Sequence, residues 1–237
     1  MLPPPAAQQG LAPQPGRAPN PPPAGPYIWT DPQSGPVGTR MAVHGRGFQP
    51  GERVQLRWYR LVGNRVSGQG WEGQWLDLAE ARAGADGSVH VELSAPDDLG
   101  GWHPLEARGD RGSAAQSGFT VTPSAFSLTP QEGPAGTVVT VHLKGVGWTE
   151  TANIYTLVYD NGYVGYACGF NSQGDVTIEL PVSGEPGWHF IDLYPAIYKG
   201  RDASGVNNFR IPQLTYRDDH PGEVLPAFRF AFRVTSP

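Results

Sequence analysis

Asp31-Pro32-Gln33-Ser34-Gly35-Pro36-Val37-Gly38-Thr39 returns 98 positions later as Thr129-Pro130-Gln131-Glu132-Gly133-Pro134-Ala135-Gly136-Thr137, identical at Pro, Gln, Gly, Pro, Gly and Thr. Further echoes keep the same order. Gly45-Arg46-Gly47-Phe48 is answered by Gly145-Val146-Gly147-Trp148, Gly87–Leu93 by Gly174–Leu180, and Gly101-Trp102-His103 by Gly187-Trp188-His189. A period near 100 residues exceeds the roughly 20–50 of solenoid units, so the chain reads as two copies of one whole domain.

Length agrees, since 237 residues accommodate two units of the size at which a β-sandwich buries its own core. Glycine (32) and proline (25) fall between short apolar runs and so read as turns separating strands. The first 36 residues break that pattern: they hold 12 of the prolines, and Arg17 is their only charged side chain before Asp31. Such a stretch buries too little apolar surface to fold, and residues 1–26 are expected to be an extended, polyproline-like arm or linker. Lacking amide protons, it suits an aromatic-lined groove better than an inserted strand. A net charge of −5 with scattered Lys and Arg argues against a nucleic-acid partner. Cys168 stands alone, so neither an internal disulfide nor a multi-cysteine metal site is expected. No apolar run reaches the roughly 20 residues of a membrane span. Met1-Leu2-Pro3-Pro4-Pro5 does not read as a signal peptide, so the chain is expected to be cytosolic, or a mature or trimmed form of a secreted protein.

From Tyr27 onward the pattern has period two. Arg53-Val54-Gln55-Leu56-Arg57-Trp58-Tyr59 alternates with one wet face, and about seven such runs follow one another to Thr122 with no helical period. The second copy repeats them, and within Tyr159-Asp160-Asn161-Gly162-Tyr163 the Asn161-Gly162 pair carries the signal of a type I′ hairpin turn. Tyr163 and Tyr166 differ in strand parity and are expected to face opposite ways. Seven short strands per unit predict an all-β fold of two tandem immunoglobulin-like β-sandwiches, at 27–123 and 124–237.

The run Gly-Pro-x-Gly-Thr, an alternating strand, Gly-x-Gly-Phe/Trp and then Gln49-Pro50-Gly51-Glu52 resembles the IPT/TIG-like immunoglobulin-like repeats of bacterial and archaeal secreted or surface proteins. The resemblance covers residues 27–237. It implies a sandwich fold and a cell-exterior setting and transfers no catalytic residue.

Residues shared by both copies are expected to serve the common scaffold: His44 and His142, His103 and His189, Trp102 and Trp188. That leaves His90 and His220, too few for a zinc site, and no metal or cofactor is expected. Asp97-Asp98 and Asp218-Asp219 form no calcium loop. There is no Gly-x-Ser-x-Gly elbow, and Gly68-Gln69-Gly70 lacks the lysine and helix of a phosphate loop, so an enzyme is not expected. Arg108-Gly109-Asp110 reads as a polar turn. What the second copy adds is a long loop at 198–226 carrying aromatics among charges. Tyr198, Arg201, Asp202, Phe209, Tyr216, Arg217 and Asp218, with Tyr163 in the hairpin, are the candidate binding residues. The expected function is a non-enzymatic structural or adhesive unit of a prokaryotic cell exterior: a surface layer, filament subunit or adhesin stalk. It would associate with itself or with other surface proteins through residues 1–26. The alternative is a carbohydrate-binding module of a secreted hydrolase, with a polysaccharide on exposed Tyr and Trp.

Overall fold

The computed structural model describes residues 25–64, 70–148, 153–169, 171–201, 207–210 and 225–236, and at 64, 197–201 and 207–210 the course of the backbone alone. The proline-rich stretch at 1–24 lies outside the described residues. Everything described is strand, turn or loop, and two packed cores organise it. In the first, β1 (Tyr27–Asp31), β3 (Arg40–Arg46) and β6 (Val89–Ser94) form a three-stranded sheet. It faces a five-stranded one made of β2 (Ser34–Gly35), β8 (Ala114–Val121), β7 (Gly101–Gly109), β4 (Arg53–Asn64) and β5 (Gly70–Arg82). In the second, β9 (Ser124–Ala125), β11 (Val138–Lys144) and β14 (Val176–Pro181) face β10 (Glu132–Pro134), β17 (Phe228–Thr235), β15 (Gly187–Arg201), β12 (Ile154–Tyr159) and β13 (Gly162–Cys168), with β16 (Asn207–Arg210) on β15. Apart from β16, the two topologies correspond strand for strand, down to the parallel pairings of β2 with β8 and β10 with β17.

The repeated nonapeptide is the segment that passes from one sheet to the other. Asp31–Pro32 and Thr129–Pro130 are both cis, and the Gln33 and Gln131 carbonyls accept from Thr120 and Arg233. The threonine then closes the turn: Thr39 and Thr137 Oγ1 each donate to the carbonyl of the proline three residues back, at 2.7 Å. Gly38 and Gly136 sit at φ 80° and 92°, where a Cβ is disfavoured. Gly35 and Gly133 leave room for the threonine hydroxyl, which a methyl there would meet at 2.5 Å.

The structure corrects three local expectations. Phe48 N donates to Gly87 O as Val146 N does to Gly174 O, so Phe48 corresponds to Val146, and Trp148 has no counterpart in the first sandwich. By sequence Gly63-Asn64 and Gly68–Gly73 read as loops, yet Gly63, Asn64 and Gly70–Gly73 belong to a longer β4–β5 hairpin in which Val62 pairs with Glu72. Gly73 is there because the Tyr59 ring occupies the space of a side chain. In the second copy the I′ turn falls one residue early, on Asp160 and Asn161 at φ 46° and 64°, and Gly162 already pairs with Tyr159.

Cores follow the alternation. Val54, Leu56 and Trp58 of β4 point inward with Met41, Val43, Leu105 and Phe119; Tyr155 and Leu157 do so with Val141, Ile191, Leu193 and Phe232. The aromatic–histidine stack recurs, with Trp58 on His103 at 4.6 Å and Tyr159 on His189 at 5.7 Å between ring centres. Each imidazole also bonds a carbonyl four residues back, Leu99 at 2.7 Å and Glu185 at 2.9 Å, as architecture requires. Asp97 and Asp98 likewise serve the scaffold: buried Asp98 accepts from the Trp58 indole at 2.9 Å, and exposed Asp97 pairs with Lys144. Arg108 and Asp110 bond Glu106 and the Arg53 amide, which fits a polar turn.

Strand directions place the two sandwiches end to end. The β4–β5 hairpin, the β6–β7 connection and the end of β8 meet the β11–β12 and β13–β14 connections. Gly100 bridges to Gly147, and its amide donates to Val146 O at 3.1 Å. Ser172 Oγ accepts from Gly63 N at 2.9 Å and donates to Gly63 O at 3.1 Å. Lys144 bonds Asp97 and lies 3.3 Å from Asp175. Trp148, unmatched in the repeat, meets Trp71 edge-on at 6.4 Å. A Cβ on Gly100 would strike the Gly145 carbonyl and the Gly147 amide, which are backbone and cannot turn aside. Gly100→Ala is therefore expected to loosen this junction without unfolding either core; small-angle scattering should show a broader distribution of particle lengths than the parent, and an unchanged profile would contradict it.

Candidate functional site

The outward face of the larger sheet of the second sandwich concentrates exposed aromatics. Tyr155, Leu157 and Tyr159 face the core, which puts Thr156 and Val158 of β12 on the opposite face of the sheet, where Thr156 is itself buried and Val158 half-buried. Register carries that face across β13 and β15: Val158 pairs with Tyr163 and Asp192, Thr156 with Tyr166 and Tyr194. The β12–β13 ladder is irregular between Leu157 and Val158, where Val164 has no partner. That extra residue resets parity, so Tyr163 and Tyr166 face the same way, contrary to the alternation expected from sequence. Their exposures, 58% and 48%, agree. On β15, Trp188 and Phe190 alternate with inward His189 and Ile191 and are 64% and 55% exposed. Arg233 lies opposite Trp188 and Arg229 opposite Asp192 on β17. Single exposed apolar residues are ordinary, whereas four large aromatics on one sheet face make it the candidate interaction surface.

This face is held from beneath. Asp160 Oδ1 accepts from Phe190 N at 2.8 Å, and its Oδ2 accepts a hydrogen bond from His189 Nδ1. Tyr159 OH donates to Ser183 O at 2.6 Å, and Tyr194 OH to Asp192 at 3.1 Å. The Glu185 carbonyl, then the Asp160 carboxylate, hold His189 above its ordinary value of about 6.5. Burial raises Asp160, but the Phe190 amide and His189 outweigh it and hold the carboxyl below its ordinary 3.8. A raised histidine stabilises fully below 6.5 and loses that contribution as pH climbs through its folded value. A lowered aspartate stabilises above 3.8 and loses it as pH falls. The difference in melting temperature between the parent and Asp160→Asn should thus be greatest between about pH 4 and 6.5 and shrink on both sides; a pH-independent difference would refute the pairing.

Of the residues expected to bind, Tyr163 lies on this face. Tyr198 pairs with Phe209, and Arg201 with Asn207, where β15 and β16 run on past the sandwich at the junction end. Asp202, Tyr216, Arg217 and Asp218 lie outside the described residues. Tyr166 was expected to face away from Tyr163, and Trp188 and Phe190 were not anticipated as binding residues. The repeat had assigned Trp188 to the scaffold with Trp102, yet sharing a tryptophan does not bury it: Trp102 lies over Gly118 and Trp188 stands in solvent.

At the junction, Tyr59, Arg60, Trp102, His103 and Trp148 line a cavity of about 30 Å³, room for a water or two and too small for a sugar ring. Among the described residues no three His, Cys, Asp or Glu side chains converge on a metal-sized site, and no helix is long and apolar enough to cross a membrane.

No family model matches the chain, and no curated protein matches it. Among solved structures, macromomycin is similar at 15% identity over 41% of this chain and 99% of its own, with a TM-score of 0.31. The Yersinia pseudotuberculosis adhesin InvE is similar at 13% over 80% of this chain, which spans 59% of it, with a TM-score of 0.30. Trypsin-activated alpha-2-macroglobulin from Escherichia coli follows at 10% over 87% of this chain and 17% of its own, also at 0.30. At these scores the likenesses carry no argument about function.

Proposed function

We propose that this chain is a non-enzymatic structural or adhesive unit of a prokaryotic cell exterior, of the IPT/TIG-like kind. The observation that carries the reading is the junction. A spacer needs its two bodies held at one separation, and here two hydrogen bonds through Ser172, a shared lysine and a backbone bridge do so. Lys144 is well placed to clamp the two bodies. Its hydrogen bond to Asp97, against the opposing effect of burial and with help from Asp175, raises its pKa, so it stays charged over the whole physiological range. The sheet face bearing Tyr163, Tyr166, Trp188 and Phe190 would be the contact surface that such a unit presents.

Protease treatment of intact cells tests the setting. On this reading, protein on unbroken cells is cut and labelled by antibody while a cytosolic marker stays whole. Recovery of the intact chain only after lysis would overturn it.

A further inference from the structure

The aromatic face and the root of the proline-rich stretch lie at opposite ends of the molecule. Trp188 and Phe190 open β15, and Tyr163 follows the Asp160-Asn161 turn, so all three sit at the end of the second sandwich away from the junction. Gly25 lies against Gly47, beside the β3–β4 turn, at the end of the first sandwich that is also away from the junction. Inner strands of about seven residues make each sandwich ~25 Å long, so root and face are separated by ~50 Å within one chain. Twenty-four residues would span ~75 Å if extended as a polyproline helix. The chain's own arm would spend two-thirds of its length on the way. Between two copies placed head to tail the separation nearly vanishes, because the free end of one first sandwich adjoins the free end of the next second sandwich.

We propose that the proline-rich segment of a second copy docks on the outward face formed by Tyr163, Tyr166, Trp188 and Phe190, and so joins copies head to tail. This deepens the structural reading above by naming the partner. The chemistry is complementary on both sides. Nine of residues 1–24 are proline and only Arg17 is charged, so docking strips water from almost no charge. Proline rings in a polyproline helix stack on exposed Tyr and Trp faces, and the segment arrives with little conformational entropy left to lose. Spacing favours the run nearest the root, Pro19-Asn20-Pro21-Pro22-Pro23, which reaches the neighbour's face first. Because root and face are different surfaces, the contact is heterologous and propagates as an open filament unless its rotation closes a ring.

The test compares the full chain with versions lacking residues 1–24 or 1–12 and with Trp188→Ala, by light scattering across a concentration series. It adds a synthetic peptide of residues 13–24 titrated onto the chain lacking 1–24, followed by tryptophan fluorescence. Expected are concentration-dependent oligomers from the full chain and from the version lacking 1–12, and monomer from the version lacking 1–24. The peptide should bind, at least about tenfold more weakly to Trp188→Ala, as at an interface hot spot. Trp188 is solvent-exposed, so its replacement leaves folding intact, which circular dichroism checks. Peptide binding with a full chain that stays monomeric would place the arm on its own face and overturn the second-copy assignment. Failure of the peptide to bind, or binding of a soluble glucan or xylan to the same face in its stead, would overturn the proposal outright. None of these readings depends on where the cell keeps the protein, so the proposal and the cell-exterior reading fail separately.

Discussion

Replacing Trp58 with alanine is expected to cost the first sandwich about 4 kcal/mol, a large share of the ~5–15 kcal/mol that holds a typical domain folded. Trp58 is fully buried on β4 between Phe119 and the stacked His103 ring, and its indole donates to the Asp98 carboxylate at 2.9 Å. The substitution leaves a cavity and also removes a donor from a buried acid. Burial raises the Asp98 carboxyl; the positive charge of His103, the indole N–H and the Leu99 amide work against that. Trp58→Phe separates the two losses, since it fills most of the volume but still strands Asp98, and an intermediate cost is expected. Urea unfolding followed by circular dichroism measures both, and the transition of the second sandwich should move little. A cost below about 1 kcal/mol for Trp58→Ala would show that the aromatic–histidine stack is not central to this core.

The same stack shows where the sequence was legible. Gly-Trp-His occurs in both copies, and the histidine does what a shared residue should, bonding a carbonyl four residues back and lying on the aromatic of the neighbouring strand. Pro-Gln-x-Gly-Pro-x-Gly-Thr was legible for a similar reason. Most of the identities answer a local geometric demand, whether a cis bond, a positive φ or a close hydroxyl, and local demands leave their mark on short stretches of chain. The outward face was less legible because it depends on register. One unpaired residue at Val164 turns Tyr166 to the side of Tyr163, and period-two alternation carries no sign of such a bulge. Exposure of Trp188 was hidden differently, since two topologically equivalent positions share a residue type while differing in what lies over them. Trp148 shows a third limit: matching Gly-x-Gly by identity paired it with Phe48, whereas the ladder offsets the copies by two residues there and frees it to face Trp71 across the junction.

At the opposite end of the molecule, Glu52→Ala is expected to destabilise the first sandwich by about 3 kcal/mol, because a buried carboxylate there serves three backbone donors at once. Glu52 is completely buried. Its Oε2 accepts from Gln49 N at 3.0 Å, and its Oε1 accepts from Arg111 N at 2.9 Å and Ser113 N at 3.3 Å, tying the β3–β4 turn to the β7–β8 turn. Gly109 makes room, since a Cβ there would overlap the carboxylate. Burial pushes this carboxyl up, but the Ser113 hydroxyl and the amides of Gln49, Arg111 and Ser113 outweigh it and hold it below its ordinary 4.5. A lowered carboxyl contributes above its unfolded value and loses that contribution as pH falls through the folded one. The penalty of Glu52→Ala, measured by urea unfolding, should therefore be full at pH 7 and shrink as the pH falls below the ordinary 4.5 and through the parent's lowered folded value. Glu52→Gln keeps one acceptor oxygen and should cost about half as much at pH 7, with little dependence on pH. An equal penalty for Glu52→Ala at pH 3 and pH 7 would mean that packing, and not charge-assisted hydrogen bonding, holds the two turns together. Because Gly25 lies against Gly47 in the first of these turns, loosening them should also blur the direction in which the proline-rich segment leaves. Glu52→Ala is then expected to weaken head-to-tail association while leaving the isolated peptide's affinity for Trp188 and its neighbours unchanged.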